Sequence, residues 1–268
     1  MVSADELYGE IWADEEAIDA ELARSLDPRA TTSLYDTFGR LGVGADRNVL
    51  DAGARDAVHA IELVRRFGCR VVAVDPVPLH VERARRRVAE AGFADHIDVA
   101  KAGIEALPFG DETFDHIWCR DVLNHVDLAQ GLPECHRVLR RGGSMLVYQT
   151  FATAACEPHE AERVFAATAT RAENMSQEFF ERNARDAGFD VVHAERLYGE
   201  WRERMLEDRT WDVVSDLLAV SRLNRRESDL VSAYGQAAVE AARGGLVWGI
   251  YQLLGKTCPT IYVLERRA

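Results

Sequence analysis

Apolar positions follow two different spacings along this chain, and stretches of the two kinds alternate. Val49 and Leu50 form a short apolar run, and residues 58–67 carry apolar side chains at every third or fourth position. Residues 70–74 then form a second run, rich in β-branched side chains. Short runs are typical of buried strands, whereas the wider spacing is typical of an amphipathic helix. The pattern therefore predicts a strand, a turn, a helix and a second strand over residues 48–76.

The same alternation continues through the rest of the chain. Pro76 and Pro78 suit the start of a helix, whose inward positions are predicted to be Val81, Ala84, Val88 and Ala91. A further helix is predicted at 128–139, with a turn at Gly142-Gly143 after it. Further strands are predicted at 96–99, 114–119, 144–150, 191–194 and 260–264. Strands and helices in this order predict an α/β fold with a doubly wound, mostly parallel sheet and helices on both faces.

The first two predicted strands each end at a carboxylate, Asp51 and Asp75. Folds of this class place such a carboxylate against a ribose diol, because the diol offers two hydroxyl donors and the carboxylate accepts both. A nucleotide cofactor is therefore predicted at this edge of the sheet. A dinucleotide site would need G-x-G-x-x-G in the turn, and only Gly53 is present, which disfavours a nicotinamide dehydrogenase.

The composition of the chain argues against several classes of protein. The chain has 268 residues, 47% of them hydrophobic, and a formal net charge of −13, which argues against nucleic acid as substrate. No apolar run approaches the roughly 20 residues of a membrane span, and no signal peptide is recognisable. The five cysteines have irregular spacings that favour neither a disulfide framework nor a metal site. We therefore expect a cytoplasmic, reduced protein without a membrane partner.

In four segments between Arg47 and Leu197 the sequence resembles the class I S-adenosylmethionine-dependent methyltransferases that act on small molecules. The segments are the turn 51–57, the loop and strand 106–118, the helix-to-strand passage 134–143 and the approach to the sixth strand at 187–192. The resemblance implies seven strands, with the last one antiparallel and a helical acceptor lid inserted before it. It implies an N-terminal helical cap over 1–45, a cofactor-binding core over 46–197, the lid over 198–256 and the last core strand over 257–268.

The resemblance also implies an activity: transfer of a methyl group from S-adenosylmethionine to a small-molecule acceptor by in-line displacement, with S-adenosylhomocysteine as the product. The cofactor-binding positions that it implies are Asp51, Gly53, Ala54, Arg55, Asp56, Asp75, Pro76, Gly103, Ile104, Glu105, Arg120 and Asp121.

Three positions in these segments and in the loop after the third strand differ from the family pattern. Arg55 and Ala57 stand where the pattern has its second and third glycines, and Gly103 stands where an Asp is common. The two side chains in the turn either crowd the methionine end of the cofactor or replace its backbone contacts. In the second case Asp56 would hold the amino group and Arg55 the carboxylate.

His125 is the candidate catalytic residue, because it follows the fourth strand and an imidazole can accept a proton from an acceptor hydroxyl or amine. The alternative is a structural hydrogen-bonding role. Arg202 is the candidate partner of an acceptor carboxylate or phosphate. Tyr35, Trp201 and Tyr251 are candidate substrate contacts, with core packing as the alternative for each. His59 is expected to pack within its helix, with a place near the cofactor as the alternative.

Residues 1–27 hold nine acidic residues and only one basic residue, Arg24, and they carry the pattern of an amphipathic helix. They form either a solubilising cap or a lid over the cofactor that Tyr8 or Trp12 closes. The altered glycine turn leaves two rivals to methyl transfer. One is a regulatory subunit that only binds the cofactor or its product, and the other is a non-methylating enzyme such as a cyclase. The sequence leaves the acceptor and any homo-oligomer open.

Overall fold

Seven strands form one sheet in the computed structural model, which describes residue 3 and residues 15–267. The strands are β1 (Asn48–Ala52), β2 (Arg70–Asp75), β3 (Ile97–Lys101), β4 (Phe114–Arg120), β5 (Leu139–Ala152), β6 (Phe189–Arg196) and β7 (Thr257–Arg266). Their order across the sheet is β3-β2-β1-β4-β5-β7-β6. β7 runs antiparallel to β5 and β6, and the other pairings are parallel, which confirms the predicted fold class.

Helices lie on both faces of this sheet. They are α1 (Glu15–Leu22), α2 (Ser33–Gly39), α3 (Val58–Phe67), α4 (Pro78–Glu90), α5 (Leu128–Val138), α6 (Pro158–Ala167), α7 (Gln177–Asp186), α8 (Glu200–Glu207), α9 (Val213–Arg225), α10 (Glu227–Tyr234) and α11 (Gln236–Leu253), with a 3₁₀ turn at Ala172–Met175. One buried cluster joins α2, α3 and α4 to the sheet, and a second joins α5 and α7 to its other face. Val81, Ala84 and Val88 of α4 are buried, as the spacing predicts.

The passage from α5 to β5 differs from the prediction of a turn at Gly142-Gly143. β5 begins directly at Leu139, and its register with β4 shifts between Phe114 and His116, where extra residues of β5 bulge out. Gly143 lies in this bulge, and a Cβ there would come within 2.7 Å of the Asp115 carbonyl oxygen. Only glycine therefore permits this close approach of the two strands.

Helices α8 to α11 occupy the stretch between β6 and β7, where the acceptor lid is predicted. In the predicted N-terminal cap, α1 leaves Ile18 and Leu22 exposed, whereas α2 buries Leu34 and Phe38 in the core. The proposed closing residues Tyr8 and Trp12 lie outside the described residues. Among the described helices, none is long and apolar enough to cross a lipid bilayer.

Candidate functional site

The strand order reverses at β1, which lies between β2 and β4. In open α/β sheets, ligands bind at such a switch point, beyond the carboxyl ends of the strands. Asp51 lies near the end of β1 and Asp75 is the last residue of β2, so both predicted carboxylates reach this edge. β4 ends there too, at Arg120, and Asp121 and His125 follow it.

The turn after β1 keeps the backbone of a glycine-rich loop although two of the glycines are absent. Gly53, Arg55 and Ala57 have φ angles of 75°, 51° and 61°, all in the left-handed region. For Arg55 and Ala57 this conformation costs roughly 1–2 kcal/mol each. The Arg55 side chain is exposed, whereas Ala57 is fully buried. Strain retained in this way is characteristic of functional turns.

Gly53 is required for a different reason. A Cβ at this position would lie 2.2 Å from Cγ2 of Val122, in the loop after β4. The absence of a side chain therefore lets the loop after β4 approach the turn after β1 closely. This contact brings the residues that follow β4 next to the carboxylates of β1 and β2.

Asp75 organises the turn through its carboxylate. Its oxygens accept hydrogen bonds from the backbone N–H of Arg55 and of Val77, both at 2.9 Å, and lie 3.0 Å from Nδ1 of His80. A carboxylate has about four acceptor positions, so capacity for a further donor remains. Asp56, by contrast, forms an ion pair of 3.0 Å with Arg87 of α4.

Asp51 is 2% exposed, and its Oδ2 has no hydrogen-bond partner in the described part of the chain. Burial raises the pKa of this carboxyl to about 7, and the neighbouring charge of Asp75 acts in the same direction. The backbone N–H of Ala60 opposes the rise in pKa. A buried carboxylate with one free oxygen favours a cationic or donor ligand beside it.

The loop after β3 carries the predicted adenine-side residues. The backbone N–H of Ala102 donates to the Asp75 carbonyl at 3.2 Å, and Ile104 is buried. Glu105 accepts from the backbone N–H of Asp127 at 3.1 Å, so its side chain fixes this loop to the start of α5. Gly103 faces Pro76, since a Cβ on Gly103 would lie 3.9 Å from the Pro76 Cβ. The structure thus gathers these four predicted residues beside Asp75.

Arg120, His59 and Tyr35 form a chain of hydrogen bonds on the other side of Asp51. Nη1 of Arg120 lies 2.8 Å from Nε2 of His59, and the hydroxyl of Tyr35 lies 2.6 Å from Nδ1. An arginine can only donate, so Nε2 accepts and Nδ1–H donates to the Tyr35 oxygen. Burial and the charge of Arg120 lower the pKa of His59 to about 4, which keeps the ring neutral. Tyr35 also stacks on Trp118, with ring centroids 4.8 Å apart.

Asp121 marks the acceptor side of the cleft. Its φ is 56°, and its backbone N–H donates to the Tyr148 carbonyl at 3.0 Å. Desolvation by the surrounding protein raises the pKa of the Asp121 carboxyl to about 6. The positive charges of Arg120, His125 and Arg202 oppose this rise. The side chain nevertheless keeps 44% of its surface accessible, so it lines a cleft between these cations.

His125 is exposed, and its Nδ1–H donates to the Ala169 carbonyl at 3.0 Å. That hydrogen bond leaves Nε2 as the acceptor nitrogen of a neutral ring. Asn174 is buried and donates to the carbonyls of Leu123 and Val126, at 2.7 and 2.8 Å, so it fixes the loop that carries His125. The imidazole is therefore held in one orientation, and its Nε2 forms no hydrogen bond within the described residues.

Arg202 of α8 points into the same cleft. Its Nε donates to Gln252 at 2.8 Å and its guanidinium lies 5.1 Å from the ring centroid of Trp211. Within the described ranges Arg202 forms no ion pair, and the charges of Asp121 and Asp216 act on it from a longer distance. Burial lowers the pKa of Arg202, which nevertheless remains a cation at neutral pH. A partly buried guanidinium without a carboxylate is suited to an anionic ligand.

Trp201 and Tyr251 occupy different places. Trp201 is 5% exposed and stacks on Tyr148, with centroids 4.9 Å apart and planes inclined by 2°, so it forms the floor behind the cleft. Tyr251 packs with Val164 and Phe165 of α6, beside a separate cavity of about 270 Å³. The structure does not bring Tyr251 together with the other predicted substrate residues.

Sequence reasoning missed two residues beside these groups, Tyr148 and Asn174. Tyr148 lies within a buried strand and Asn174 within a polar 3₁₀ turn, so neither carried a signal. For His59 the favoured prediction is helix packing, and a place near the cofactor is the alternative. Its position in the first turn of α3, directly after the predicted cofactor turn, is the signal for that alternative.

Comparisons with known proteins agree with this geometry. Residues 50–147 match the family described as methyltransferase domain. The chain is 28% identical over 268 aligned residues to the sarcosine/dimethylglycine N-methyltransferase of Halorhodospira halochloris, covering 92% of this chain and 91% of that protein. The crystal structure of a putative sarcosine dimethylglycine methyltransferase from Galdieria sulphuraria is similar, with a TM-score of 0.67, 20% identity, and coverage of 87% and 84% of the two chains. A geranyl diphosphate methyltransferase in complex with SAM has a TM-score of 0.64, 18% identity and coverage of 88% and 84%.

Proposed function

We propose that this chain, which belongs to the class I methyltransferase family and acts on small molecules, takes its methyl group from S-adenosylmethionine. The observation that carries the proposal is the pair of carboxylates, Asp51 and Asp75, on either side of a turn with glycine-like backbone at residues 53, 55 and 57. A similar fold has been solved in complex with SAM, which supports the same donor here.

The residues at this edge suit the parts of that cofactor. Asp75, with acceptor capacity left on its carboxylate, would hold the ribose diol. Pro76, Gly103 and Ile104 would hold adenine, the last through its backbone N–H. The free buried Oδ2 of Asp51 would accept from the ammonium of the methionine end. When bound, the sulfonium supplies a methyl group that is already activated for displacement by a nucleophile.

The remaining work of the protein is to place an acceptor and remove its proton. Holding a nucleophile in line with its target supplies on the order of 7–11 kcal/mol of rate acceleration. His125 presents Nε2 at the cleft and would accept the proton of a hydroxyl or protonated amine. Asp121, beside it, would hold the acceptor by a hydrogen bond.

Arg202 defines the chemistry that we propose for the acceptor. Tyr148 and Asp121 act on its guanidinium electrostatically, but Arg202 forms no ion pair in the part of the chain that the structure describes. An acceptor with a carboxylate or phosphate would satisfy this cation, and its nucleophile would lie toward His125. The relative named for sarcosine and dimethylglycine is consistent with this, because both compounds carry a carboxylate.

Calorimetry with S-adenosylhomocysteine tests the donor. We expect Asp75→Ala to weaken binding by about 1.5–3 kcal/mol, the range for a hydrogen bond to a charged group. Asp98→Ala is the matched control, because Asp98 is an exposed aspartate on the edge strand β3. Unchanged affinity in Asp75→Ala would remove this residue from the site.

A second assay separates transfer from binding alone. The protein is incubated with S-adenosylmethionine that carries a labelled methyl group and with anionic and neutral acceptors matched in size. Label in an anionic acceptor supports the proposal. Cofactor binding without transfer to any acceptor would instead favour the regulatory or non-methylating alternatives.

A further inference from the structure

We infer that Arg120 binds the carboxylate of the cofactor's methionine end and that His59, supported by Tyr35, is the positioning residue that aims Arg120. This inference rests on the proposed function and assigns a role to a histidine that the sequence placed in helix packing. It concerns the amino-acid end of the ligand alone, so it can be separated experimentally from binding of the adenosine.

Arg120 has donors available for a ligand. Its Nε is buried and has no hydrogen-bond partner among the described residues. The nearest carboxylate oxygen, of Asp121, lies 3.9 Å from Nε, beyond hydrogen-bond distance. The guanidinium of Arg120, the last residue of β4, lies 5.4 Å from the ring centroid of Tyr148 in β5. The Arg120 side chain keeps 29% of its surface exposed, so the guanidinium can meet a ligand, and a carboxylate is the anion whose two oxygens match it.

The neighbouring Asp51 has the opposite charge. Asp51 lies opposite Trp118 in the pairing of β1 with β4, and Arg120 follows Trp118 by two residues, so the side chains of Asp51 and Arg120 point to the same face of the sheet. Asp51 has an unsatisfied acceptor and Arg120 an unsatisfied donor. A ligand with an ammonium and a carboxylate on one carbon, which is the methionine end of the cofactor, satisfies both.

The residues of the altered turn are less suited to this role. Asp56 is already paired with Arg87, and the exposed Arg55 stays hydrated, whereas Nε of Arg120 is buried without a partner among the described residues. The glycine turn thus supplies backbone shape, while the charged contacts that the sequence assigned to Arg55 and Asp56 come from Arg120 and Asp51.

His59 orients Arg120 through its tautomer. Nε2 accepts from Arg120, and the opposite nitrogen donates to Tyr35, so the ring fixes one end of the guanidinium. The Tyr35 ring is in turn held by stacking on Trp118. A side chain without an acceptor at the Nε2 position would release Arg120 from this orientation.

The test compares two ligands by calorimetry: S-adenosylhomocysteine, and 5′-methylthioadenosine, which keeps adenosine and sulfur but lacks the amino-acid end. For the native sequence we expect S-adenosylhomocysteine to bind at least tenfold more tightly. In His59→Leu this preference should fall by about tenfold, with 5′-methylthioadenosine affinity changed less than twofold. His59→Gln, which can place an oxygen acceptor near Arg120, should restore part of the preference. His193→Gln, an exposed histidine on β6, is the matched control.

Tyr35→Phe provides a second route if His59→Leu does not fold, because it keeps the stacked ring and removes only the hydroxyl. It should reduce the preference by about threefold. If the native protein binds neither ligand, the proposed donor is wrong. If it binds both equally well, or if the His59 and Tyr35 variants lose affinity for both ligands in parallel, the role of Arg120 and His59 is wrong while the donor assignment stands.

Discussion

Asp51→Asn removes a buried carboxyl whose ionisation lowers the free energy of unfolding. The carboxyl of Asp51 is 2% exposed, and its pKa of about 7 lies well above the usual value of 3.8. Because the folded state keeps a proton that the unfolded state loses, stability falls as pH rises between these two values. Each unit of pH in that window costs about 1.36 kcal/mol. Between pH 5 and pH 7 the loss for this single group is therefore about 3 kcal/mol.

The asparagine variant lacks this loss, although its amide adds a buried donor that costs about 1–3 kcal/mol at every pH. The informative quantity is therefore the variant-minus-native difference in unfolding free energy, followed from pH 5 to pH 8 by urea denaturation. We expect this difference to rise by about 3 kcal/mol in favour of Asp51→Asn. Asp98→Asn, at an exposed position on β3, should show no such rise. A difference that stays constant with pH would refute the buried, protonated state of Asp51.

The same group predicts a pH dependence of ligand binding. An ammonium beside Asp51 lowers the pKa of the carboxyl below its value of about 7 in the free protein. Below pH 7, each increase of one pH unit should therefore tighten the binding of S-adenosylhomocysteine by up to tenfold. Above pH 7 the affinity should reach a plateau. Asp51→Asn should bind weakly and without this slope. A native affinity that is flat across this range would show that the ammonium lies elsewhere.

Two predictions concern the acceptor side. His125→Ala should lower turnover on a hydroxyl or protonated-amine acceptor by about 10²–10⁴-fold, with little change in cofactor affinity; a rate that matches the native enzyme from pH 6 to pH 9 would make His125 structural. Arg202→Ala should raise the KM of an anionic acceptor by about tenfold or more, as expected for loss of a charge-assisted hydrogen bond, and leave S-adenosylhomocysteine affinity unchanged. Arg204→Ala in the same helix, where the arginine pairs with Asp208, is the control, and equal losses of acceptor and cofactor affinity in Arg202→Ala would contradict the assignment.

The sequence predicted the strands and their carboxylate ends well, because a buried strand has a local signature that does not depend on distant residues. Asp51 and Asp75 are the clearest examples, since each directly follows a run of β-branched or aliphatic residues. The resemblance to a known family supplied what local patterns lack, namely the number of strands and the antiparallel last strand, whereas the strand order came from the structure alone.

The hydrogen bonds that link Tyr35, His59 and Arg120 could not be predicted from local sequence patterns. Tyr35, His59 and Arg120 are separated by 24 and 61 residues, and the hydrogen bonds that join them depend on how α2 and α3 pack against β4. An aromatic residue or a histidine on a helix is usually a core residue, so its spacing alone favours packing. For Tyr251 the structure matches the alternative of core packing: α11 turns that ring toward α6, away from the other predicted substrate residues.

The hydrogen bonds from Asn174 to the loop after β4 have a consequence for the order of this loop before a substrate binds. Leu123 and Val126 are held at their carbonyls by one buried amide, and Asn124 is tied separately to the Thr150 carbonyl at 2.8 Å. Opening that loop would break these three hydrogen bonds, each contributing roughly 0.5–1.5 kcal/mol. The loop that carries His125, the proposed base, is therefore already ordered before an acceptor binds.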